Sequence, residues 1–148
     1  MSDLDSRFQL GEEIQKCQDQ IEESRSNIKR LEKQFDDGHD DLRTYHQIKD
    51  GFDDFMKRYQ SNASRFLEVG SSYSFIKIYE NDMNELLLGN RRHRVEECLS
   101  SMEGEIRSDI SNAEEGINQE QKKRRALNDK LDVLEKEFRE GNREDDEC

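Results

Sequence analysis

The chain has 148 residues, of which 41% are charged and 30% are hydrophobic, and its formal net charge is −12. These are too few apolar residues to fill a compact globular core, so the composition fits either a disordered chain or long helices with a narrow apolar seam, and the regular spacing of the apolar residues favours the helices. The acidic charge argues against nucleic acid and anionic membrane surfaces as partners. No apolar run reaches the roughly 18–20 residues of a membrane-spanning helix, so we expect no membrane insertion.

The termini and the cysteines suggest an intracellular, reduced protein. The first residues, MSDLDSRFQLGEE, lack the basic region and apolar core of a secretory signal peptide, so we expect a cytoplasmic location. Three scattered cysteines do not form a disulfide framework. Cys17 and Cys98 are interpreted as small buried hydrophobes, and Cys148 as an exposed thiol in the tail.

The first arm carries a seven-residue repeat. Counting in sevens from Leu10 and from Ile14 gives two rows that alternate at spacings of four and three, and fourteen of their seventeen positions up to Phe66 are apolar. This pattern is typical of a coiled-coil seam. Outside the two rows, only Ile48 and Phe55 are apolar between residues 10 and 66.

Gly38 lies inside this repeat without disturbing it. The register passes unchanged from Phe35 to Leu42, which a loop would have no reason to preserve. We therefore predict one helix over 8–69. The alternative is a pair of helices broken at 37–40.

The second half of the first arm has a wider apolar stripe than two helices need. Ile48 and Phe55 are seven residues apart and flank the seam on one side. With Tyr45, Phe52, Met56 and Tyr59 they predict contact with a third helix, from this chain or from a partner.

Residues 69–79, VGSSYSFIKIY, interrupt the repeat, and no single register holds over 73–98. The repeat returns from Leu99 to Phe138. We predict an all-α fold, a single long antiparallel helical hairpin with its apex near residues 69–73. Its parts are an arm over about 8–69, an apex at 70–72, a second arm over about 73–140 and an acidic tail at 141–148. A straight parallel dimer is the competing arrangement.

The hairpin makes a prediction about which residues meet. With the apex at 70–72, the numbers of facing residues sum to about 142. The expected pairs are Gly38 with Gly104, Ser24 with a residue within a turn of Glu120, Leu31 with Ile110, and Leu10 with Phe138 and Leu134.

No constellation of catalytic, cofactor-binding or metal-binding residues is recognisable, and we expect no enzyme activity. DDGHDD at 36–41 fails as a calcium-binding EF-hand loop, because Thr44 stands where the loop needs a glutamate. RRHR at 91–94 is a basic cluster in an acidic chain. It is either helix surface balanced by nearby glutamates or a docking site for an acidic partner.

The two-arm layout and the segment SYSFIKIYENDMNELLLGNRRHR resemble the helical accessory proteins of LXG effectors in bacterial type VII secretion. The resemblance implies a non-enzymatic chaperone or targeting subunit that binds the helical LXG domain of a toxin. The chain has no tryptophan and so lacks the turn signature of the related WXG proteins. It would belong to the accessory type without its own export signal.

On this interpretation the partner is a helical protein, an LXG domain with or without a second small helical protein, and the chain is co-exported or stays in the cytoplasm. Without a partner we expect self-association. The alternative function is a homo-oligomeric coiled-coil scaffold or tether. The predicted partner-binding residues are Ile48, Phe52, Phe55, Met56, Tyr59, Phe75, Ile76, Tyr79, Met83, Leu86, Leu87, Arg91, Arg92 and Arg94.

Overall fold

The computed structural model of the chain describes residues 2–70, 78, 81, 82, 84, 85 and 89–146. Two helices make up nearly all of this part: α1, Asp3–Gly70, and α2, Asn90–Asp146. Asp3 and Asp5 in the first turn of α1 suit the positive end of the helix dipole. The predicted apex at 70–72 extends beyond the described residues.

Helix α1 is continuous through residues 37–40. Glycine costs a helix only about 1 kcal/mol relative to alanine, so an unbroken seam on both sides of Gly38 is enough to carry the helix through it. The prediction of one helix is confirmed, and the alternative of two helices is wrong.

The chain divides into two compact units, and each contains part of both helices. Unit one is Met1–Asp36 with Ser111–Cys148, and unit two is Asp37–Ile110. Within each unit α1 and α2 pack against each other in opposite directions. The predicted all-α fold of two packed antiparallel helices is confirmed.

Unit one is held by an apolar seam with one polar layer. Cys17, Ile21 and Leu134 are buried, and further seam residues pack against them: Leu10, Ile14, Leu127 and Leu131. Ser24 is fully buried, and its hydroxyl lies 2.8 Å from the Glu120 carboxylate and 3.2 Å from the Glu120 carbonyl. The prediction that Ser24 meets the helical turn around Glu120 is confirmed. Leu10 also packs against the cluster that contains Leu134, as predicted.

The predicted pairing of Gly38 with Gly104 is wrong. Gly38 lies under the side chain of Ile110, whose Cγ1 would be 2.6 Å from a Cβ at position 38, whereas nothing lies within 4 Å of a Cβ at Gly104. Leu31, predicted to meet Ile110, lies over Gly116 instead. A glycine on one helix receives a branched side chain from the other, because this fills space that two facing glycines would leave empty.

In unit two Tyr45 is buried and donates a hydrogen bond of 3.0 Å to Glu103. The numbers of this pair, like those of Gly38 and Ile110, sum to 148 and not to the predicted 142. In unit two the register therefore differs from the predicted one by nearly one heptad, whereas the contact between Ser24 and Glu120 in unit one sums to 144, close to the prediction.

Candidate partner-binding surface

The predicted partner-binding residues of α1 divide into two groups in the structure. Met56 is buried, and Phe52 and Tyr59 pack against it, so these three side chains belong to the seam. Ile48 and Phe55 are each 49% exposed. The Phe55 ring lies 5.0 Å from that of Tyr59, measured between centroids. Ile48 and Phe55 are therefore the part of the predicted set on α1 that remains free to bind a partner.

Helix α2 carries a matching pair that the sequence interpretation missed. Val95 is 40% exposed and Met102 is 41% exposed, and like Ile48 and Phe55 they are seven residues apart. Met102 follows the seam residue Leu99 by three positions, just as Ile48 follows Tyr45 by three. A common offset from the seam places these residues on equivalent flanks of the two helices.

The register brings the two pairs to the same side of unit two. In an antiparallel helix pair, equivalent flanks face each other across the seam. Tyr45 lies opposite Glu103, so Ile48 is level with Met102, and Phe55 is level with Val95. We refer to Ile48, Phe55, Val95 and Met102 as the apolar flank. Val95 and Met102 have the same offset from the seam as Ile48 and Phe55, and this shared offset could have identified them from the sequence.

The opposite side of unit two is a polar groove of about 300 Å³. It is lined by Tyr45, Lys49, Phe52, Asp53, Glu96, Leu99, Ser100 and Glu103. A 2.9 Å bond from Arg107, together with the Tyr45 hydroxyl, lowers the pKa of Glu103. Burial, and then the hydrogen bond to Glu103, raise the pKa of Tyr45. Two of the charged side chains in this groove, Glu96 and Glu103, are therefore paired within the chain.

The basic cluster at 91–94 contains side chains that pair with glutamates and side chains that are exposed. Arg92 pairs with Glu96 at 2.9 Å, and His93 lies 3.1 Å from Glu97, each one helical turn away on α2. Arg91 and Arg94 are exposed. Cys98, expected to be buried, is exposed, because it lies one position before the seam residue Leu99 and faces away from α1.

Unit one has an apolar surface of its own beside the chain ends. Leu4 is 75% exposed and Phe8 is 69% exposed, and with Phe138 they line a shallow depression of about 570 Å³. We refer to Leu4, Phe8 and Phe138 as the terminal surface. The sequence interpretation did not include it. Leu4 and Phe8 are four residues apart and lie outside the seam rows. This spacing could have revealed the terminal surface from the sequence.

Six predicted partner-binding residues lie outside the part of the chain that the structure describes: Phe75, Ile76, Tyr79, Met83, Leu86 and Leu87. The predicted tail thiol, Cys148, also lies outside it.

Within the described ranges, no group of three or more His, Cys, Asp or Glu side chains is placed to hold a metal ion. DDGHDD is part of α1 rather than a loop. Neither α1 nor α2 contains an apolar stretch of the length that crosses a bilayer.

No protein-family model matches the chain, and neither does any curated protein or solved structure.

Proposed function

We propose that this chain is a non-enzymatic helix-binding protein that docks an amphipathic helix of its partner on the apolar flank. The observation that carries the proposal is the flank itself. Four large apolar side chains, two from each helix, occupy facing flanks of the seam in this register, and each is 40–49% exposed. Contiguous apolar patches of this kind on small soluble proteins mark interaction sites.

The shape of the surface favours a helix as the ligand. Two rows of apolar side chains with heptad spacing, one from each helix, form the kind of groove in which a third helix packs. Flank residues contribute little to the seam, because the seam already has its own apolar rows. Burial of the flank side chains is therefore most stabilising when a partner covers them and removes their apolar surface from water.

Together with the resemblance to LXG accessory proteins, this supports a specific role. The partner would be a helical LXG domain of a type VII secretion toxin, and the chain would act as its chaperone or targeting subunit. Covering the apolar flank and an apolar helix of the toxin at once would keep both proteins from aggregating before export.

The test is co-expression with an LXG domain encoded beside the gene for this chain, followed by affinity purification. Val95→Asp should reduce the recovered LXG domain at least tenfold, because it replaces an apolar contact at the centre of the interface with a charged side chain that loses its hydration on binding. Val133→Asp is the matched control. Val133 is also an exposed valine of α2, at 56%, but it lies in unit one, so this variant should bind like the wild type.

Helix content measured by circular dichroism should be unchanged in both variants, since both valines are exposed. Wild-type recovery of the LXG domain by Val95→Asp would contradict the placement of the site. An LXG domain that fails to bind even the wild-type chain would contradict the identity of the partner.

A second candidate function, a homo-oligomeric scaffold or tether, is favoured by the terminal surface. Leu4 and Phe8 are the most exposed of the large apolar side chains described above, and a second copy of the chain could cover them. Sedimentation equilibrium of the isolated chain distinguishes the two functions. Self-association that Phe8→Asp abolishes, with no binding of an LXG domain, would support the scaffold.

A further inference from the structure

The residues that border the apolar flank differ along its length. On α1 the bordering positions are Thr44, Gly51 and Arg58, each three or four residues from Ile48 or Phe55 and all exposed. Residues with this spacing are neighbours on a helix surface, so they form the outer edge of the flank.

On α2 the equivalent positions are Arg91, Cys98 and Glu105, which are also exposed. In the register that places Tyr45 opposite Glu103, Arg58 is level with Arg91 and Gly51 is level with Cys98. A helix docked on the flank would therefore pass between two arginines at the end that holds Phe55 and Val95.

The two arginines are available to a partner. Neither Arg58 nor Arg91 forms an ion pair with another residue in the described part of the chain, whereas their neighbour Arg92 is paired with Glu96. The exposed pair stands out in a chain whose net charge is −12.

The middle of the flank is bordered by small side chains. Nothing lies within 4 Å of a Cβ at Gly51, and Cys98 is the level residue on the other helix. Small bordering residues let a docked helix approach the apolar side chains closely, which brings its own edges within reach of long arginine side chains.

We infer that the helix bound by the apolar flank carries acidic side chains on both of its edges at the end that lies over Phe55 and Val95. Arg58 pairs with one edge and Arg91 with the other. The inference rests on the proposed function, because it specifies the partner of the same surface. It also runs against the overall charge, since an acidic protein would attract basic helices if only its net charge mattered.

Two designed peptides test this charge preference. Both are amphipathic helices of about 18 residues, long enough to follow the flank and its borders, with the same leucine stripe at heptad spacing. One has glutamates on both edges of a single turn, and the other has lysines there. Fluorescence anisotropy with the full chain at low salt would give the two dissociation constants.

The glutamate peptide should bind the wild-type chain about five- to thirtyfold more tightly than the lysine peptide, as expected for two exposed ion pairs gained in one case and two repulsions in the other. The double variant Arg58→Glu with Arg91→Glu should reverse the preference. Arg94→Glu is the matched control for the Arg91→Glu half of this double variant. It makes the same charge change in the same basic run, but Arg94 lies one position before Val95, on the outward side of α2, and its replacement should leave the preference in place.

Failure of the inference is distinguishable from failure of the proposed function. If Val95→Asp abolishes binding of both peptides but the wild-type chain prefers lysine or has no preference, the flank is the site and the inference is overturned. If Val95→Asp changes neither dissociation constant, or if neither peptide binds, the proposed binding surface itself is overturned.

Discussion

Unit one and unit two are built from the same two helices, yet they place their apolar side chains differently. Unit one buries Cys17, Ile21 and Leu134 in one cluster along the seam. Unit two has a smaller buried cluster around Met56 and carries four more apolar side chains on one flank. Seam positions therefore hold the hairpin together, whereas flank positions are available for another molecule.

The polar contacts of the two units also differ, since the contact in unit one is more deeply buried than the contact in unit two. The small hydroxyl of Ser24 meets Glu120 at a fully buried position in unit one. In unit two the larger Tyr45 reaches across to Glu103, and the Glu103 side chain remains 30% exposed beside an open groove. The Ser24 contact penalises any register that separates it from Glu120, because a buried hydroxyl without a partner is costly.

The largest expected effect comes from one substitution made on the seam and on the flank. Ile21→Ala in unit one should lower the free energy of unfolding by about 2–3 kcal/mol, because Ile21 is only 6% exposed and its loss leaves a cavity. Ile48→Ala should cost less than about 0.5 kcal/mol, because Ile48 is 49% exposed. Urea denaturation followed by circular dichroism measures both. A similar loss of unfolding free energy in the two variants would contradict the distinction between seam and flank.

A smaller effect is expected at the two glycines that were predicted to face each other. Gly38→Ala should destabilise the fold by about 1–2 kcal/mol, because the new methyl group would collide with Cγ1 of Ile110 and force the packing to shift. Gly104→Ala, the same change on the other helix, should stabilise it by about 0.5–1 kcal/mol through helix propensity, since the site is open. Thermal unfolding of the two variants gives the sign directly. Stabilisation by both would mean that Ile110 does not occupy the space over Gly38.

The smallest expected effects are pH-dependent and lie in unit two. The pKa of Glu103 is lowered from 4.5, so its stabilising contribution is present above pH 4.5 and is lost as the pH falls through the folded-state pKa. The pKa of Tyr45 is raised from 10.0, so its contribution is present below pH 10 and is lost as the pH rises through the folded-state value.

Melting temperatures across the pH range test both groups. The difference in melting temperature between the wild type and Glu103→Gln should shrink in acid, and that between the wild type and Tyr45→Phe should shrink in alkali. Differences that stay constant across pH would show that the two side chains do not interact in solution as they do in the structure.

Much of the hairpin was predictable because the seam is periodic. The helix through Gly38 followed from the unbroken register between Phe35 and Leu42, since only a continuous helix keeps such a count. The contact between Ser24 and Glu120 was anticipated because each is a polar residue in a mostly apolar row, and the hairpin brings them within a turn of each other. Ile48 and Phe55 were recognised as extra apolar residues for the same reason, because they depart from a clear pattern.

Other features were not predictable in this way. Cys98 was expected to be buried because it adjoins the seam in sequence, but one position along a helix is a rotation of about 100°. Val95 and Met102 were not identified because a flank residue gains meaning only when the residues opposite it are known. Residues on α1 and α2 that share the apolar flank are separated by 40 to 54 positions in the chain.

The sequence by itself determined that this protein forms long helices with an apolar seam, since heptad spacing suffices to define both the helix and the face that it buries. Only the tertiary structure decided the register between the helices. A seven-residue repeat looks nearly the same after a shift of one heptad, so the choice depends on the fit of particular side chains, such as Ile110 over Gly38 and Tyr45 against Glu103. That choice brings Val95 and Met102 beside Ile48 and Phe55.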